Sequence, residues 1–198
     1  LITRGQMACF LVRALGTLIQ EPGEQTSGGV YGNLTITTPG VKLKDTTVTG
    51  NLYLTGGVGL GNVELENVNV LGKIVICGGG EAQGGKQSVL LRNVTAGSLE
   101  LDSLSEQFLS IQAEGLTNIA EVTLRTPGYL EDRTEDGLGL QTIRLDGIEG
   151  SLFQLAGNIK RVVNLTPGST LQLAQGVADV ITMDEKAEGA TLTIDNLA

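Results

Sequence analysis

The densest set of chemistry-bearing side chains in the chain is Glu131-Asp-Arg-Thr-Glu-Asp136, with Tyr129 two residues before it. Glu131, Asp132, Glu135 and Asp136 offer the hard oxygen donors that Ca2+ takes, and Tyr129 offers an aromatic surface on which a sugar ring can stack. Their spacing matches no recognised Ca2+ loop, and Arg133 sits among them, so a solvated charge run is the plainer reading. Ca2+ is the only cofactor the residues bring into view. Binding of an ion, sugar or partner is expected at Tyr129, Glu131, Asp132, Arg133, Glu135 and Asp136, which fall in the longest loop, residues 125–141.

Acid–base chemistry has thinner support. Lys42, Lys44, Arg92 and Arg144 alternate with apolar residues and so face outward, where Asp102 or Asp146 could join them in a lyase or glycosidase site. Sugar sites also need aromatic platforms, and the outward candidates are few: Tyr53, Tyr129 and Phe153. His is absent, which removes the usual general base and the commonest metal ligand near neutral pH. Gly80-Glu-Ala-Gln-Gly-Gly85-Lys86-Gln87 nearly spells a phosphate loop. Gln87 replaces the hydroxyl that holds Mg2+, however, and Ser88-Val-Leu-Leu leads into a strand where the motif needs a helix. Gly57-Val-Gly-Leu-Gly61 lacks the dinucleotide-binding spacing as well. Cys9 and Cys77 lie in segments with no evident reason to meet, so two free thiols are expected. The net charge of −9 leaves no cationic surface to displace counterions, and nucleic acid is excluded as a partner. No apolar run reaches the ~20 residues of a membrane span.

The elements that must position these residues are announced by a repeat. Gly32-Asn-Leu-Thr-Ile36, Gly50-Asn-Leu-Tyr-Leu54, Gly72-Lys-Ile-Val-Ile76 and Gly97-Ser-Leu-Glu-Leu101 recur about every 20 residues. Such a period means stacked coils, each burying its apolar row against its neighbours. A first strand row is read at 34–36, 52–54, 74–76, 99–101, 122–124, 152–155, 171–173 and 192–194. A second is read at 41–43, 63–65, 89–91, 109–111, 143–145, 162–165 and 180–183. This gives about seven coils. Asp45, Asn67 and Asn93 each fall two residues after an inward Leu, so stacked Asx side chains are expected at one corner. The sequons at Asn33, Asn93 and Asn164 follow from the same turn chemistry rather than from glycosylation. Crossover connections are overwhelmingly right-handed, so the expected fold is all-β, a right-handed parallel β-helix over 32–198. Residues 3–19 carry helical periodicity in Met7, Phe10, Leu11, Ala14, Leu15 and Leu18. They are read as an amphipathic capping helix within 1–20, followed by a linker over 21–31.

The run Ile2-Thr-Arg-Gly-Gln-Met-Ala-Cys-Phe-Leu-Val-Arg-Ala-Leu-Gly16 resembles the closing helix of an S-layer homology domain. Residues 41–80, with Thr-Thr-Val-Thr-Gly-Asn-Leu-Tyr-Leu and Asn-Val-x-Val segments, look like the β-helix that accompanies such domains in surface proteins of Gram-positive bacteria. The resemblance implies an exported, cell-surface protein held on cell-wall polysaccharide, with Arg4 at the position the family uses for wall carbohydrate. Gln6 stands where the family has Glu. The expected function is a non-enzymatic structural or adhesion segment presenting loops to extracellular polysaccharide or protein, with a β-helix polysaccharide lyase or hydrolase as the alternative. The last strand, around Leu192 and Ile194, reads as apolar and uncapped, which favours an end-to-end homodimer.

Overall fold

The computed structural model describes residues 3, 7, 13–26, 28–80, 88–103, 108–135 and 138–195. The chain winds as a parallel β-solenoid of about eight turns, and each complete turn lays one short strand in each of three parallel rows. In the first row Leu34, Leu52, Ile74, Leu99, Val122, Ile143, Val162 and Ile181 stand one above another as Cα partners. In the second row the matching column is Val41, Val63, Val89, Ile111, Leu130, Leu155, Leu173 and Ile194. In the third it is Tyr31, Val48, Val70, Ala96, Ile119 and Leu140. These columns converge on one continuous core of branched aliphatic side chains, most of them fully buried. The in-register stack follows from period-2 alternation: each strand has one buried face, and a slip of one residue would turn its apolar set to water.

The repeat glycines have a local cause. Asn33 Oδ1 accepts from the Asn51 amide N–H at 2.8 Å, and Asn51 Oδ1 accepts from that of Lys73 at 3.0 Å. Each Asn carboxamide therefore lies under the glycine of the next coil. A Cβ on Gly50 would fall on Asn33 Oδ1, and one on Gly72 would fall on Asn51 Oδ1 and on the Gly50 carbonyl. Gly97, which follows Lys73 rather than an Asn, has open space instead. At the corner between the second and third rows Asp45, Asn67 and Asn93 all take positive φ, a conformation Asn and Asp tolerate better than most residues. Asn67 Nδ2 donates to Asp45 Oδ1 and Asn93 Nδ2 to Asn67 Oδ1, both at 2.9 Å, and Asn93 Oδ1 accepts from Leu116 N. The expected Asx ladder is thus present, and Gly115 takes over the positive φ in the following turn.

Three expectations change. Gly128–Thr134 is a strand of the second row and not part of a loop. The two rows consequently exchange from that point. Ile143–Leu145 stacks on 122–124 in the first row, and 152–155 stacks on Gly128–Thr134 in the second. The strand escaped notice because its inward positions are Gly128, Leu130 and Asp132, only one of them apolar. Secondly, Thr17–Ile19 is a strand paired with Leu34–Ile36, where a helix was expected. Gly16, at φ 67°, ends the helical segment after Arg13, Ala14 and Leu15. Thirdly, the presumed linker holds two strands, Gly23–Thr26 and Val30–Tyr31, both paired with Val41–Val48. Of the apolar residues expected to cover the first coil, Met7 and Leu15 are exposed, while Phe10 and Leu11 lie outside the described residues. The helix end is instead tied by polar bonds: Asn33 Nδ2 donates to Ala14 O at 2.7 Å and Thr35 Oγ1 to Leu15 O at 2.6 Å.

Gly72→Ala is expected to destabilise the fold by about 1–3 kcal/mol, because the new methyl meets backbone as well as side chain. Gly97→Ala, in the same repeat position but with open space, should stay within about 0.5 kcal/mol of the parent. Urea denaturation of both variants checks the pair, and equal losses would contradict the role assigned to the Asn carboxamides.

Candidate functional site

The outer face of the second row carries most of the residues singled out by sequence. One column there runs Glu24, Lys42, Glu64, Leu90, Gln112 and Glu131, and the neighbouring column runs Lys44, Glu66, Arg92, Glu114 and Arg133. Opposite charges alternate up the stack. Lys42 Nζ lies 2.8 Å from both Glu64 and Glu66, and Arg92 joins Glu64 at 3.0 Å to Glu114 at 3.3 Å. Lys44 is in register with Glu66, yet its closer partner is Glu24, at 2.9 Å against 3.9 Å. Hydrogen bonds to Glu64 and Glu66 raise the Lys42 pKa, and the bond to Lys42 lowers that of Glu66. Both groups therefore stay ionised well beyond neutral pH on either side. Individually such partly exposed pairs contribute little.

At the upper end of this face lies the expected binding cluster. Tyr129, Glu131 and Arg133 alternate with Leu130 and Asp132, so the strand sends the first three outward and Asp132 inward. Glu131 is nearly buried: it accepts from Gln112 Nε2 at 2.9 Å and from Arg133 Nε at 2.6 Å. Ser88 Oγ donates to Gln112 Oε1 at 3.2 Å and extends the chain one coil down. Asp132 is 2% exposed, and its oxygens accept from Thr134 N, Thr134 Oγ1 and, at 2.8 Å, Leu140 N. It stacks between Ala113 and Gly157, residues small enough to leave room for a carboxylate in the core column. Glu135 is exposed, and Asp136 lies outside the described residues. The six residues do not form one ligand set: Glu131 and Asp132 are adjacent in a strand and point to opposite faces, and bonds within the fold already engage both carboxylates. No group of three or more His, Cys, Asp and Glu gathers as a metal site among the described residues. Arg4 lies outside them.

Burial, with the Glu131 carboxylate next in importance, pushes the Tyr129 hydroxyl up to about 12. The phenol therefore serves as a neutral hydrogen-bonding group and never as a base near neutral pH.

The candidate acid–base partners are dispersed. Lys42, Lys44 and Arg92 belong to the charge ladder, whereas Arg144 is on the first row, 3.7 Å from Glu121. Asp102 and Asp146 follow the first row, and Asp146 pairs with Arg125 at 3.2 Å. Arg125 also binds Glu100, whose carboxyl it holds below the usual range with help from Lys73. This second cluster, and the part played by Gln112, were missed from sequence. The signal was present in the period, since aligning 109–115 with 128–134 places Gln112 beside Glu131.

The connection 55–62 crosses from the first to the second row along one edge of the stack, and 77–80 and 102–103 begin the same crossing in the next two coils, their continuations at 81–87 and 104–107 lying outside the described residues. The connection after Leu124 shrinks to 125–127. Cys77 begins one of them; burial, and then Asp102, raise its thiol pKa, so it is a weak nucleophile. Cys9 lies outside the described residues. The sequon amides are occupied: Asn33 and Asn93 bond to the preceding coil, and Asn164 is fully buried with its Nδ2 on Ser169 Oγ at 2.9 Å. They are structural turn residues.

Ultraviolet titration of phenolate should show one of the three tyrosines ionising near the value given for Tyr129, about 12. Glu131→Gln should lower that value. Because the folded pKa lies above the unfolded one of about 10, this group's stabilisation is complete below the unfolded value and is lost as pH rises through the folded one. A Tyr129 that titrates like a free tyrosine would overturn the geometry described.

Compared with known proteins, the chain matches no family model, no curated protein and no solved structure.

Proposed function

We propose that this chain is a non-enzymatic structural or adhesion segment of a cell-surface protein, a rod that presents an edge and flat faces to extracellular polysaccharide or protein. One observation carries the reading. The charged side chains of the second-row face that catalysis would need to free are bound to oppositely charged neighbours, in adjacent coils for Lys44 with Glu24 and Arg92 with Glu64, and within one strand for Arg133 with Glu131. Groups held this way stiffen a stack and are poorly placed to shuttle protons. The cell-surface location and the link to wall polysaccharide rest on the likeness of residues 2–16 to an S-layer homology helix, with Arg4 as the residue to test. Among the described residues no helix is long and apolar enough to cross a membrane.

Incubated with pectate or alginate and Ca2+, the chain should give no rise in the ultraviolet absorbance of unsaturated products, while pull-down on isolated cell-wall polymer should retain it. Turnover of either polymer would favour a lyase and overturn the proposal.

End-to-end association is part of the same reading. The strand Thr191–Ile194 pairs with Thr170–Met183, and its Leu192 and Ile194 are 41% and 56% exposed. Sedimentation at rising concentration should show a dimer that Leu192→Glu dissociates. A parent that stays monomeric throughout would remove this part.

A further inference from the structure

The third row differs from the other two on its outer surface. Its outward column is Val30, Thr47, Asn69, Thr95 and Asn118, five residues stacked as Cα partners. The next outward positions along the same strands are Thr49, Leu71, Gly97 and Ala120, all exposed. None of these nine residues carries a charge, in a chain whose net charge is −9. Charges sit on the first-row face, with Glu100, Arg125 and Arg144, and on the second-row face, with its Lys, Arg and Glu ladder; on the third row they enter only in later coils, at Lys160 and Asp179 beside the paired Ile159 and Ala178.

The faces differ in hydrogen bonding as well. On the second-row face Lys42, Glu64, Arg92, Gln112 and Glu131 are committed to one another across coils, and Arg133 to Glu131 within its strand. On the third-row face Thr49 Oγ1 donates to Tyr31 O at 2.9 Å and Asn118 Oδ1 accepts from Gln141 Nε2 at 3.2 Å, whereas the hydroxyls of Thr47 and Thr95 and the amide of Asn69 make no side-chain hydrogen bond to the described residues. Val30 and Leu71 stand among them, 72% and 63% exposed. The surface is flat, with hydroxyl, amide and apolar groups repeated about every 4.8 Å, the spacing of parallel strands.

We infer that this face, centred on Asn69 and Thr95, is the surface that docks on polysaccharide, and that the polymer it takes is neutral. The inference rests on the adhesion reading above and adds the face and the ligand class. A neutral polymer can cover these rungs without stripping water from any charge, whereas either charged face would have to desolvate ion pairs to accept it. An anionic polymer finds no cation among these nine residues. A neutral sugar chain offers the rest: hydroxyls for the unbonded Thr and Asn groups, and C–H surfaces for Val30 and Leu71.

The test is depletion of the purified chain onto microcrystalline cellulose, chitin and insoluble polygalacturonate, at low and at high salt. Thr95→Glu and Asn69→Asp place charge on the face, and Thr123→Glu places one on the first-row face as a control. Circular dichroism checks that each variant is folded. Expected is retention on a neutral polymer, insensitive to salt, that falls at least about tenfold in Thr95→Glu and Asn69→Asp and persists in Thr123→Glu. Retention unchanged in the third-row variants, or confined to polygalacturonate and lost in high salt, overturns this inference while leaving the adhesion reading in place. No retention of the parent on any polymer, cell-wall material included, overturns both. A dimer in light scattering that the third-row variants dissociate would show that a second copy covers the face, and would overturn the assignment to polymer.

Discussion

Every part of this molecule depends on parallel backbone pairing between coils that are held in register. Once one coil lies on the next with the same residue phase, each side chain meets the residue one period away at a separation of about 4.8 Å. Buried columns then become continuous aliphatic stacks, and outward columns become ladders. Like charges in one ladder would repel along the whole axis, and here Lys42 sits between Glu24 and Glu64, and Arg92 between Glu66 and Glu114. The alternation is what allows a charged face on a fold that stacks equivalent positions.

The same constraint explains how the corners are built. A bend must recur at each coil, and its polar groups must be satisfied by the coils above and below. Asp45, Asn67 and Asn93 do this by chaining one carboxylate and two carboxamides along the axis while their backbones take positive φ. Asn33 and Asn51 do it by accepting backbone N–H groups, which leaves only glycine able to sit above them. Farther along, Asp132 enters a core column and is made tolerable by three hydrogen bonds and by small neighbours, Ala113 and Gly157. Buried polar groups that are fully partnered specify a local arrangement at modest cost.

Function on such a rod belongs to surfaces, and the three faces are chemically distinct. Two are occupied by their own ion pairs. The third presents, over its earlier coils, a patch without charge in which Thr47, Asn69 and Thr95 make no side-chain hydrogen bond to the described residues, and the edge between the first and second rows carries connections such as 55–62. The division follows from strand alternation: a residue's face is set by parity within its strand, so a change of one position moves chemistry from a binding surface into the core.

The sequence by itself determined the stacked-coil architecture, the inward positions of the early coils and the Asx corner, because each is a consequence of a period and a parity that can be counted. It did not determine which row the later strands join. Apolar triplets look alike in every row, and Gly128–Thr134 has only Leu130 as an inward apolar marker. Nor could it separate Glu131 from Asp132, which read as one acidic cluster until a strand placed them on opposite faces. The charge-free patch on the third face was likewise decided in three dimensions, since Thr47, Asn69, Thr95 and Asn118 are scattered along the chain and become one surface only when the coils close on one another.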